Sequence, residues 1–139
     1  MSGDLLEWAD LEKLLAMLCK MKSPDQDSCD YLIERAIQRI EKEKGGLATS
    51  CFDAEVCFDD AGKRVELEID PVADIPDAAD QIRKMGNPIQ VRFLTGSKGA
   101  DDAWDEKYAF LYLIEQRKVW FEFEKYGAQE KLVRASLIY

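Results

Sequence analysis

Ten carboxylates fall between Ser50 and Asp80, at Asp53, Glu55, Asp59, Asp60, Glu66, Glu68, Asp70, Asp74, Asp77 and Asp80, against two cations, Lys63 and Arg64. Three chemistries are open to such a cluster: ligation of a hard cation, acid and base work by a carboxylate pair, and charge pairing with a basic partner. A calcium loop needs the alternation Asp-x-Asp-x-Asp-Gly, which no stretch of the chain supplies. A glycosidase pair needs two carboxyls in one pocket with different environments, a demand that spacing alone does not meet. Charge pairing needs only a one-signed face, and this segment carries −8 of the chain's net −9. Residues 1–49 sum to −3 and residues 81–139 to +2. A field concentrated in this way attracts cationic partners and repels nucleic acid and anionic membrane.

Other chemistries are thinly provided. The chain has no histidine, which removes the commonest general base, the Ser-His and Cys-His nucleophile pairs and the commonest zinc ligand. Catalysis would have to rest on carboxylates, lysine or tyrosine. Cys19, Cys29, Cys51 and Cys57 form no C-x-x-C pair and read as reduced thiols, with Cys19 and Cys29 serving as small hydrophobes on helices. Gly96-Ser97-Lys98-Gly99 lacks the phosphate-loop pattern and reads as a connector. No cofactor and no metal is expected.

The elements that position the acids follow from hydrophobic period. Leu5, Trp8, Leu11, Leu14, Leu15 and Leu18 recur at helical spacing and predict a first helix of about five turns ending near Lys20–Lys22. Ser23-Pro24-Asp25 predicts the start of a second helix, with Ser23 as cap and Pro24 in the first turn. Cys29, Leu32, Ile33, Ala36, Ile37 and Ile40 line its apolar side, Lys42 and Lys44 complement its dipole, and Gly45-Gly46 ends it. The period then falls to 2. Phe52, Ala54, Val56 and Phe58 alternate with Asp53, Glu55 and Cys57; after a turn at 59–62, Val65, Leu67 and Ile69 alternate with Glu66, Glu68 and Asp70. The expected hairpin sets Val56 against Val65 and Ala54 against Leu67, which puts Glu55 opposite Glu66 and Asp53 opposite Glu68. Pro71 closes it, and Pro76 opens a short helix through Ala79, Ile82 and Met85. Strands follow around Ile89–Phe93, within 103–115, where a helix is the competing reading, at Val119–Phe123 and at Lys131–Tyr139. Trp8 belongs to the core. Trp120 sits beside Glu122 and Glu124 on the face away from Phe121 and Phe123, and Trp104 is a second candidate for exposure.

One α+β domain spanning 1–139 is therefore expected: two N-terminal helices and a third short one packed on a curved, mainly antiparallel sheet of five to six strands. The order α-α-β-β-α-β-β-β-β resembles that of the cystatin-like roll of nuclear transport factor 2 and its relatives, through element order and no residue motif. Such rolls host enzymes, binders and scaffolds alike.

The functional expectation is a small acidic binding protein that masks a basic partner, with the question of an enzyme left open. Its most concrete form is an immunity protein that neutralises a bacterial toxin such as a nuclease, whose phosphate-binding cleft is cationic. The contact residues expected are Asp53, Glu55, Asp59, Asp60, Glu66, Glu68 and Asp70, with Trp120 as apolar anchor. One alternative is a roll enzyme or small-ligand binder with Tyr108, Tyr112, Asp101 and Asp105 at a cavity mouth; another is a secretion chaperone. Met1–Asp4 lacks a basic leader region and no apolar run is long enough to span a membrane, so a cytoplasmic location without nucleic-acid or membrane contact is expected. The pattern leaves the oligomeric state open.

Overall fold

The computed structural model describes residues 6–45, 51–60, 62–70, 73–94 and 106–139. Its elements, in chain order, are α1 (Trp8–Cys19), α2 (Gln26–Lys44), β1 (Phe52–Asp59), β2 (Gly62–Ile69), α3 (Ala78–Arg83), β3 (Gln90–Phe93), β4 (Glu106–Ile114), β5 (Arg117–Tyr126) and β6 (Gln129–Ile138). The strands form one six-stranded antiparallel sheet in the order β1-β2-β6-β5-β4-β3. The link through α3 carries the chain from β2 to the far edge. The meander from β3 to β6 then brings it back alongside β2. The competing helix within 103–115 does not form: Glu106–Ile114 is a strand, while 103–105, Gly96–Gly99, Trp104, Leu5, Gly46 and Pro71 lie outside the described residues.

The helices pack on one face of this sheet, an α+β arrangement. Alternate strand residues, Phe52, Ala54, Val65, Leu67, Leu137, Ala135, Val119, Phe121 and Phe123, join Trp8, Leu11, Leu15, Leu18, Cys29, Ile33 and Ile82 in a single core. The ring of Trp8 meets Phe121 edge-on at 5.7 Å, and burial of such aromatics supplies much of the driving force. Tyr108 and Tyr112 belong to this layer too. Tyr112 packs on Phe121 and donates its hydroxyl to the Gly86 carbonyl at 2.9 Å.

Three sequence expectations are corrected. The first helix is twelve residues, shorter than five turns, because the chain enters it extended at Glu7, whose N–H is donated to Asp10 Oδ2 at 3.0 Å. The cap of α2 is Asp25 rather than Ser23: Asp25 Oδ1 accepts the Ser28 N–H at 2.8 Å. Ser23 and the Pro24 carbonyl instead accept from Lys63 Nζ, at 3.2 and 2.9 Å, which ties the α1–α2 turn to the hairpin. Phe58, at the end of the apolar alternation, is 73% exposed, because the core does not extend to the tip.

The end of α1 is held from a distance. Arg117 donates to the carbonyls of Cys19, Met21 and Ile138 at 3.0, 3.3 and 3.1 Å, and its guanidinium lies 3.8 Å from the Tyr139 ring centre. The Tyr139 hydroxyl donates to the Leu18 carbonyl. The bonds to Leu18 and Cys19 meet carbonyls in the last turn of α1, where intrahelical donors run out, and those to Met21 and Ile138 tie the following turn to the end of β6.

Candidate partner-binding site

The hairpin pairs as its pattern requires: Val56 with Val65, Ala54 with Leu67, Glu55 with Glu66 and Asp53 with Glu68. The core-facing side thereby turns every named acid of the two strands to the opposite face. That face is not uniformly anionic. Arg64 reaches Glu66 at 2.9 Å along the same strand, and Arg134 on β6 reaches Glu68 at 2.8 Å and Glu122 at 3.3 Å. Lys107 on β4 continues the row to Glu122 and Glu124, at 3.3 and 3.7 Å. Burial opposes the charge on Arg134. The hydrogen bond to Glu68 and the nearby carboxylates outweigh that cost and hold its pKa above the ordinary guanidinium value.

Arg134 owes its position to an irregularity in the sheet. Glu122 pairs with Arg134 but Phe123 pairs with Leu132, so Val133 is an extra residue on β6. Such a bulge bends its strand and re-aims the side chains beside it.

The predicted contact residues therefore divide. Asp53 and Glu55 are exposed, and no ion pair engages either among the described residues. Glu66 and Glu68 have cationic partners within the protein. Asp60 is exposed at the turn, Asp70 is half-buried, and of Asp59 only the backbone is described. Trp120 lies on the same face, but two strands from Glu66 across Ser136, a spacing of about 10 Å. The Arg92 guanidinium sits 4.5 Å over its ring. Trp120 pairs with buried Leu111 in a small apolar island distinct from the hairpin acids.

Glu55, Cys57 and Glu66 bring one ligand atom each within 4.8 Å of one another. Two carboxylates and a thiol could hold a divalent cation. The Arg64 guanidinium, bonded to Glu66, supplies positive charge at this place.

A further group of acids comes from α2. A groove of about 440 Å³ between α2 and β1 is lined by Asp30, Glu34, Glu41 and Asp53 over a floor of Ile33, Ile37 and Phe52, with Gln38 at its rim and no cation among the described residues of its lining. Gln26 fastens α2 to β1: its side-chain amide donates to the Ala54 carbonyl at 2.7 Å and accepts the Val56 N–H at 3.1 Å. This amide takes the place of a neighbouring strand on the outer edge of β1 and fixes the start of α2 against it. The nitrogen of Gln26 also donates to Asp30 at 2.9 Å.

Sequence reasoning found Asp53 but not its companions on α2. A signal was present. At about 100° per residue, Asp30, Glu34 and Glu41 form one stripe beside the buried positions Cys29, Ile33, Ala36 and Ile40, while Arg35 and Arg39 lie on the other flank. Which flank faces β1 is a tertiary fact.

No known protein family, curated protein or solved structure matches this chain. Among the described residues, no helix is long and apolar enough to cross a membrane.

Proposed function

We propose that this is a binding protein that masks a basic partner, with the α2–β1 groove and the adjoining exposed acids Asp53 and Glu55 as the contact. The observation that carries the reading is the groove itself: Asp30, Glu34 and Asp53, with Glu41 beside them, around an apolar floor that no cation lines among the described residues. A lysine or arginine side chain suits such a site, because its stem packs on Ile33, Ile37 and Phe52 while its head meets the acids. A surface that is merely solubilising has no need of a concave apolar floor.

The most concrete form of this function is an immunity protein whose carboxylates stand in for phosphates in the cationic cleft of a bacterial toxin, a nuclease being the clearest case. The sheet-and-helix order also supports a cystatin-like roll as the fold analogy. The burial of Tyr108 and Tyr112 takes two polar groups away from the alternative of an enzyme cavity.

The test is capture of partners from native lysate by the tagged protein, with the variant E34K/D53K in parallel. Both positions are exposed, so the variant should fold. The expected result is a stoichiometric basic protein, released by salt and lost with the variant. Equal capture by both forms, or a salt-independent partner, would overturn the assignment.

A further inference from the structure

The opposite flank of α2 carries a second groove of contrary sign. It is about 500 Å³, lies between α1 and α2, and is lined by Met17, Tyr31, Leu32, Arg35 and Arg39, with no carboxylate among the described residues of its lining. The guanidinium of Arg39 lies 3.9 Å from the Met17 sulfur, and Arg35 donates to the Tyr31 hydroxyl at 2.9 Å with its cation 5.6 Å from that ring's centre. Among the described residues neither guanidinium is in an ion pair, although eight other acid–base contacts are made elsewhere in the protein. Two unneutralised arginines beside a methionine and a leucine make a surface with specific demands. An arginine fork is matched by a carboxylate, and a flexible methionine adapts to an apolar side chain.

The charges at the ends of the groove sharpen those demands. Toward the α1–α2 turn the surface continues over Met21 and Leu32 to Asp27. Toward the other end it reaches Asp10, Lys13 and Glu43, where Asp10 is paired with Lys44 at 2.8 Å. The groove is thus acidic at its Asp27 end and cationic at its centre, while at the other end Lys13 and Lys44 offset Asp10 and Glu43.

We propose that the α1–α2 groove docks an amphipathic helix of a protein partner that is acidic at its centre and basic at the end that meets Asp27. Arg35 and Arg39 are four residues apart, about 6 Å along α2. Two carboxylates at the same spacing on an antiparallel helix face them, and a bulky apolar residue between those carboxylates seats against Met17 and Leu32. The stretch from Asp27 to Glu43 corresponds to about 24 Å, or roughly sixteen residues of helix. A second copy of this chain does not fit. The acid pair of this spacing on α2, Asp30 and Glu34, lies on the flank that faces β1, and the net charge of −9 opposes self-association.

The probe is a synthetic helical peptide of about eighteen residues, with lysines at the end that meets Asp27, a central Glu pair at i and i+4 and a phenylalanine between them. A matched peptide has the central glutamates replaced by lysine. Titrating each into ¹⁵N-labelled protein should give saturable binding of the acidic-centred peptide alone, with amide shifts at Met17, Leu32, Arg35 and Arg39. The variant R35E/R39E should weaken that binding about tenfold or more and reverse the preference between the peptides. If that variant fails to fold, R35Q/R39Q should weaken binding without reversal. No saturable binding, equal binding of both peptides, or shifts confined to β1 and β2 would overturn the proposal. Concentration-dependent self-association abolished by R35E/R39E would assign the groove to a second copy and equally overturn it. None of these variants touches the α2–β1 groove, so failure here is distinguishable from failure of the basic-partner reading.

Discussion

On its β1 side, α2 presents Asp30, Glu34 and Glu41 around Ile33 and Ile37; on its α1 side it presents Arg35 and Arg39 around Leu32 and Met17. The two grooves have similar size and similarly apolar floors. They differ in sign, and in how the helix is fastened beside them. Gln26 clamps the anionic side by bonding directly to the edge of β1. The cationic side depends on α1, whose end is held by Arg117 and Tyr139 from the far end of the chain. The outward surface between them, lined by Tyr31, Glu34, Arg35, Gln38, Arg39 and Lys42, carries both signs. One helix can therefore separate two opposite surfaces with a shift of a few residues around its axis. The local arrangement of charge is more informative than the net charge of the chain.

The largest expected effect breaks the cationic side alone. Arg117→Ala removes three hydrogen bonds to carbonyls and the contact with the Tyr139 ring, and should lower stability by about 3 kcal/mol in urea unfolding. Amide exchange should rise first in α1, while the α2–β1 contacts persist. Uniform loss of protection would show that the two sides are not separately fastened.

Alkaline pH sharpens the same contrast. Burial pushes the Cys19 thiol from 9.0 up to about 11, and the Tyr139 phenol from 10.0 up to about 12. Each raised pKa means that the folded protein favours the protonated form. The corresponding stability is present in full below pH 9 and is lost as the pH rises from about 9 through 12. Cys19→Ala should flatten the decline between about pH 9 and 11, measured by urea unfolding across that range. An unchanged slope would remove Cys19 from the explanation. At the other end of the scale, the bond from the Ser28 N–H lowers the Asp25 pKa, so its capping contribution is present at neutral pH and is lost as acidification protonates it.

A smaller effect should follow from Gln26→Ala on the anionic side. Loss of the two amide contacts with β1 should cost about 1–2 kcal/mol, and the uncovered strand edge should increase self-association at high concentration. Sedimentation and urea unfolding together check this. A variant of wild-type stability that stays as monodisperse as wild type would show that the clamp is incidental.

The hairpin was legible because strict alternation and a short turn leave one register that keeps the apolar residues together, and the pairing of Glu55 with Glu66 follows from it. The partners of its acids were not. Arg134 and Lys107 reach the row only because the sheet order sets β6 beside β2 and β4 beside β5, a result of long-range packing. The start of α2 was misplaced by two residues because Ser23 and Asp25 are both capable caps; contact with Lys63 engages the first and leaves the second to bind the helix. The acids of α2 lay on a readable stripe, yet their meeting with Asp53 depends on which flank turns toward β1. Trp120 was placed on the correct face, but the cation of Arg92 over its ring comes from a strand that pairs on the far side of β4.

The most direct test of the central claim is an NMR titration of the ¹⁵N-labelled protein with a short amphipathic peptide of alternating arginine and leucine, at low and high salt, with E34K/D53K alongside. Masking of a basic partner by the α2–β1 groove predicts amide shifts at Asp30, Glu34, Asp53 and Glu55 that shrink with salt and vanish in the variant. Shifts centred on the Glu122–Lys107 row or between α1 and α2, or shifts that survive the double reversal, would contradict it.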